Sequence, residues 1–285
     1  IFIGQNQILL FGRGVDLSQK EDLFGYFLSS SETFLNVDCA SAENTAEEIL
    51  RTPITGNAIT SDKYPEMIRS ASDNGRCVEV SFTELLDRIN SHEKTLVLPT
   101  FSLSQQTSSD SEDGESSGCE EKSDKLEERR LKISSGAVYA NGKFRAEISA
   151  EQMGIYGMIC GSGENVHAEI SGGGRKYSET YRISSRAVTA SSEGEEIVFC
   201  ISARAIPLDS QMFEAISDRT DSETAAKREI EKNAAAFAEA MCAEFTPEIF
   251  GADYFLMRHN PQVYRLYADD PEELYHHVRI AVEIE

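Results

Sequence analysis

Five histidines and six cysteines are the residues of this chain best suited to nucleophilic, redox or metal chemistry, and their spacing assembles none of it. His92, His167, His259, His276 and His277 are scattered, and no two sit at metal-binding helical spacing with an acid between them. His276 and His277 precede a strand pattern, where adjacent side chains point to opposite faces, so they cannot hold one ion from one face. Cys39, Cys77, Cys119, Cys160, Cys200 and Cys242 include no C-x-x-C pair and no metal-ligand spacing. They recur at roughly forty-residue intervals, but the flanks VDCAS, GRCVE, SGCEE, MICGS, VFCIS and AMCAE share no pattern, so the chain has no repeat of that period. The thiols read as small buried hydrophobes rather than bridges. No serine lies in a G-x-S-x-G elbow, and Gly4, Gly12 and Gly14 are not followed by the Lys-Ser/Thr of a phosphate loop. Neither a catalytic centre, a cofactor nor a metal is expected.

Composition narrows the partners. With 285 residues, the chain exceeds one average domain. Its formal charge of -22 excludes nucleic acid and anionic membrane as direct partners, because phosphate binding needs clustered Lys and Arg. No apolar run reaches the length of about 18 residues needed to cross a bilayer. The first residues lack the basic start of a signal peptide, so Ile1 is expected to lie inside a longer natural chain.

The elements that would position any site are clearest at the C-terminal end. Thr220 and Glu223 have the spacing of a capping box, and Ile230, Ala234, Phe237, Ala238, Met241 and Phe245 then form one helical stripe. Thr246-Pro247 ends that helix and starts a shorter one carrying Ile249, Phe250, Tyr254, Phe255 and Met257, which Asn260-Pro261 breaks. Val278, Ile280, Val282 and Ile284 alternate as one face of a last strand.

Upstream, Ile8–Phe11 and Phe34–Cys39 read as buried strands, with helices from a Ser18/Glu21 cap and over residues 42–50. That alternation predicts parallel neighbours. Helices follow over 61–74 and after Ser81, then a strand at Leu96–Leu98 and an acidic disordered insertion over about 102–128. Asn141-Gly142 predicts a tight hairpin between strands 133–139 and 144–148. Three more strands follow, around 166–170, 177–190 and 197–206, with Gly172–Gly174 as a turn. The predicted class is α+β, multi-domain, with mixed or antiparallel sheets carrying helices on one face. Boundaries near Gly56 and Gly161 divide it into an N-terminal α/β element (1–56), a middle α+β domain (57–160) and a C-terminal α+β domain (161–285).

In their order, these residues resemble the Ger(x)C family, the lipoprotein C subunits of bacterial spore germinant receptors. The likeness rests on the long charged helix, on Glu248-Ile249-Phe250-Gly251 as a variant of the family's Asp-Ile-Phe-Gly motif, and on the proline-and-aromatic segment before a valine-rich strand. Gly136-Ala137-Val138-Tyr139 with Asn141–Phe144 resembles the family's hairpin, and Gly157–Gly161 its next apolar segment. Residues 1–12 and 23–28 resemble part of its first domain. Glu248 stands where aspartate is usual, and tyrosines where tryptophans are usual.

The resemblance implies a non-enzymatic subunit in nutrient-triggered germination, working with membrane-embedded A and B subunits. It also implies an N-terminal lipid anchor outside this sequence, holding the protein on the outer face of the inner spore membrane. Gly136, Ala137, Val138, Glu248, Ile249, Phe250 and Gly251 are expected to be structural, and Tyr254, Tyr264 and Tyr267 to be partner contacts or part of a helix-to-sheet core. The alternative is an extracytoplasmic solute-binding or hydrolytic domain with an inter-domain cleft.

Overall fold

The computed structural model describes residues 6–19, 21–29, 37–52, 60–91, 94–105, 129–172, 175–193, 196–208 and 219–285. Its first half contains β1 (Ile8–Gly12), α1 (Glu21–Ser29), β2 (Asp38–Ala42), α2 (Ala46–Arg51), α3 (Thr60–Asp73), α4 (Phe82–Ile89), β3 (Leu96–Gln105), β4 (Arg129–Ala140) and β5 (Lys143–Ser149). These five strands form one sheet in the order β1-β2-β3-β4-β5. β1, β2 and β3 pair in parallel, as helix-connected strands do, whereas β3, β4 and β5 are antiparallel. Asn141 and Gly142, both at positive φ (52° and 73°), make the two-residue turn that joins β4 to β5.

After α5 (Ala150–Cys160), the second half opens with β6 (Asn165–Gly172), β7 (Arg175–Glu193) and β8 (Glu196–Pro207). It continues through α6 (Arg219–Phe245), α7 (Ala252–His259), α8 (Pro261–Leu266) and α9 (Pro271–His277) to β9 (Val278–Ile284). The strand order is β6-β7-β8-β9, and β8 pairs with β9 in parallel because the helices cross over between them. Ile197, Phe199, Ile201, Ala203 and Ala205 alternate as the buried face of β8. Ile201, Ala203 and Ala205 share a core with α6, while Ile197 and Phe199 pack with Leu256 of α7 and Leu274 of α9. The helices therefore cover one face of this sheet. The α+β class with two mixed sheets is the class the sequence predicts.

All six positions of the α6 stripe, from Ile230 to Phe245, are buried. One continuous core joins them to Tyr139, Met153 and Phe101 in the first half. Contact between sheet and helix is closest at Gly136: a Cβ there would fall inside the Met153 sulfur and 2.9 Å from Ile148 Cγ1. Gly136→Ala is expected to cost about 1–3 kcal/mol by overpacking. In a double-mutant cycle with Met153→Ala, the double variant should lose less than the sum of the two single losses, because the truncation removes the clash, and urea unfolding of the single and double variants measures that difference.

Several elements differ from their expected bounds. α6 begins at Arg219, one residue before the expected cap, and β2 is displaced to Asp38–Ala42, so most of the 34–39 assignment lies outside the described residues. β1 is an edge strand in which only Phe11 is fully buried. Residues 102–105, expected in the acidic insertion, continue β3, where they pair with β4. The remainder of that insertion lies outside the described residues, as do Gly173, Gly174 and the boundary near Gly56. Strands on either side of Gly56 share one sheet, while Gly161 is the left-handed cap between α5 and the second sheet.

Candidate functional site

The Glu248–Gly251 motif lies where the two halves meet. Pro247–Phe250 is a single 3-10 turn, and Gly251, at φ 77°, separates it from α7, so the one short helix expected after Thr246 is two elements. Only a residue without a Cβ takes that conformation without strain. A Cβ at Gly251 would also lie 3.1 Å from Arg88 Nη1.

Two side chains from the first half bind the turn's backbone. Arg88 of α4 donates from Nη1 to the Glu248 carbonyl (3.3 Å), and Tyr156 of α5 donates its hydroxyl to the Ile249 carbonyl (3.3 Å). Phe250 fills the same junction, its ring 6.0 Å from that of Tyr156 and 6.1 Å from that of Phe237 on α6. The Glu248 carboxylate reaches forward instead: Oε2 accepts from the Asp253 N–H at 3.1 Å, satisfying a donor in the first turn of α7. The Asp253 carboxylate in turn accepts from the Tyr275 hydroxyl of α9 at 2.9 Å. One motif thus ties α4, α5, α7 and α9 together.

Burial sets the electrostatics here. Glu248 is only 2% exposed. Desolvation, reinforced by the Asp253 carboxylate, pushes its carboxyl up to about 7 against the opposing pull of Arg88 and the Asp253 N–H. Burial works against the Arg88 charge, yet Tyr156, Cys160, Glu248 and Glu84 outweigh it and hold the guanidinium protonated. Tyr156 is raised well above the usual phenol range, chiefly by burial.

Nothing in this arrangement pairs a nucleophile with a base. Burial raises the Cys77 thiol to about 12 and the Cys242 thiol to about 11, and also raises Cys39, Cys160 and Cys200. All five are free thiols, while Cys119 lies outside the described residues. Among the described residues, no group of three His, Cys, Asp or Glu side chains is placed to hold a metal ion. His277, expected just before the strand, ends α9 and meets Glu273 Oε1 at 3.2 Å.

The structure separates the expected site residues into three places. Gly136, Ala137 and Val138 lie in the C-terminal half of β4, with Ala137 and Val138 fully buried, and Glu248–Gly251 form the seam. Tyr264 and Tyr267 pack partly against the small core under α7–α9, and the Tyr267 ring lies 5.6 Å from that of His277. Tyr254 is 60% exposed, Met257 49% and Leu266 78%. Arg88 and Tyr156 were not singled out by sequence reasoning. Each reads locally as an ordinary helix residue, and only the fold brings them to a turn about 90 to 160 positions away.

Fold and seam define an α+β protein of two mixed sheets, with a buried polar network joining its halves. Residues 1–103 match the family model described as the spore germination protein N-terminal domain. The crystal structure of the GerBC protein matches with a TM-score of 0.63 at 10% identity, covering 98% of this chain and 77% of that one; the likeness is one of fold. No curated protein sequence matches the chain. The Ger(x)C resemblance read from the motifs is thereby borne out.

Proposed function

We propose that the chain is the extracytoplasmic part of the C subunit of a spore germinant receptor, with a non-enzymatic scaffold or coupling role. The observation that carries this reading is the family match over residues 1–103 within a fold like that of GerBC along 98% of the chain. In this reading a lipid anchor outside this sequence holds it at the inner spore membrane; no helix among the described residues is long and apolar enough to cross one. Membrane-embedded A and B subunits are its partners in this reading. Tyr254, Met257 and Leu266 are the surface offered to them, because large exposed apolar side chains on adjacent short helices suit a buried interface.

The test uses the natural full-length product in sporulating cells. Labelled lipid should be incorporated and the protein recovered with the spore inner membrane; a soluble, unlabelled product would remove the anchor from the proposal. Benzoylphenylalanine in place of Tyr254 should crosslink to an A or B subunit on illumination, and the same group in place of Lys232 on α6 should not. Equal crosslinking from both positions would overturn the assignment of that surface.

A further inference from the structure

A groove of about 600 Å³ opens between α3, the start of β4 and the β6–β7 pair, so residues from both halves of the molecule line it. That volume lies within the range of small-molecule sites. Its charge inverts the character of the chain. Acids outnumber bases 49 to 27 overall, yet the lining contains Lys63, Arg76 and Lys132 against one carboxylate, Glu66.

Glu66 is taken up by Lys63 at 2.7 Å. The Arg76 guanidinium lies 3.2 Å from His167 Nε2, and burial together with Arg76 lowers the His167 pKa, favouring the neutral ring. A neutral ring that accepts from Arg76 at Nε2 carries its proton on Nδ1, which faces the Thr180 hydroxyl at 3.4 Å. Glu151, at the start of α5, is within electrostatic reach of Arg76, and its carboxylate accepts from the Ser149 hydroxyl at 2.8 Å. Lys132 has no ion-pair partner among the described residues. Met67 and Ala71 of α3 and Leu131 and Ile133 of β4 add apolar lining.

We propose that this groove is a binding site for a small organic anion with an apolar body. The acidic group would sit between Lys132 and Arg76, and the body would lie against Met67 and Ala71. A cation at the rim attracts the charge, and partly buried aliphatic surface supplies the area a simple ion would not use. Because α3 and β4 belong to one sheet's layer and β6–β7 to the other, a bound anion touches both halves at once. The inference rests on the groove alone and stands whether or not the chain is a receptor subunit.

Anilinonaphthalene sulfonate is a suitable probe, being an apolar anion whose fluorescence rises on binding, and N-phenyl-1-naphthylamine is its uncharged counterpart. Titration of the intact chain with the sulfonate should saturate at one site, and Lys132→Glu should weaken it about tenfold. The uncharged probe should bind more weakly to the parent and be indifferent to that substitution. Lys232→Glu, an equal charge change on the exposed face of α6, should leave both titrations unchanged. Equal sulfonate affinity in the Lys132→Glu and parent proteins, or equal affinity of the parent for the two probes, would overturn the proposal.

Discussion

Truncating Phe237 to alanine is expected to lower the unfolding free energy by about 3–5 kcal/mol, as for other large buried aromatics. The ring is buried in the α6 stripe and lies 6.1 Å from Phe250, which in turn meets Tyr156 of the first half. The substitution therefore opens a cavity in the core that α6 shares with the motif turn. Urea unfolding should show a lower midpoint with an unchanged slope. A loss below about 1 kcal/mol would show that the seam repacks freely.

The second large effect depends on pH. The Glu248 carboxyl, raised from 4.5 to about 7 in the folded protein, binds a proton more readily there than in the unfolded chain. Its contribution is therefore most favourable below the unfolded value and is lost as pH rises toward the folded one. At about 1.4 kcal/mol for each pH unit, the window from about 4.5 to 7 spans about 3 kcal/mol. Glu248→Gln keeps an oxygen to accept from Asp253 N and removes the titration. The variant should match the parent near pH 4.5 and exceed it in stability by up to that amount near pH 8, as read by thermal unfolding across the range. A stability difference that stays constant with pH would show that folding does not shift the Glu248 carboxyl.

Both effects concern side chains whose partners the sequence could only half reveal. Phe237 was legible because a helix with one buried face repeats its apolar residues every three or four positions, and Asn141-Gly142 because few residue pairs tolerate two consecutive positive φ values. α5 left no such trace. Met153 to Ile159 are all buried, so its apolar residues follow no stripe and the segment reads only as an apolar run. α9 carried its own start signal, Asp270 accepting from the Glu273 N–H ahead of Pro271, but it is a short helix beside a strongly alternating strand.

The site was less legible than the fold for a related reason. Glu248–Gly251 could be recognised as a motif, yet its meaning depends on Arg88 and Tyr156, and a single sequence does not record pairings over such separations. The groove is harder still. Lys63, Arg76, Lys132 and His167 come from different segments, and each alone resembles an ordinary surface base.

The parallel ladder between β8 and β9 has a kinetic consequence. β6, β7 and β8 are joined by short connections, so their antiparallel pairings form between near neighbours in the chain. Ile197 and Val278, by contrast, come into register from about eighty positions apart, after α6 to α9 have been laid across the sheet. Closing so long a loop costs entropy before any contact repays it, and pairings of this kind slow folding. During refolding, the edge of β8 should remain open longest, presenting an unpaired strand to other copies of the chain until β9 arrives.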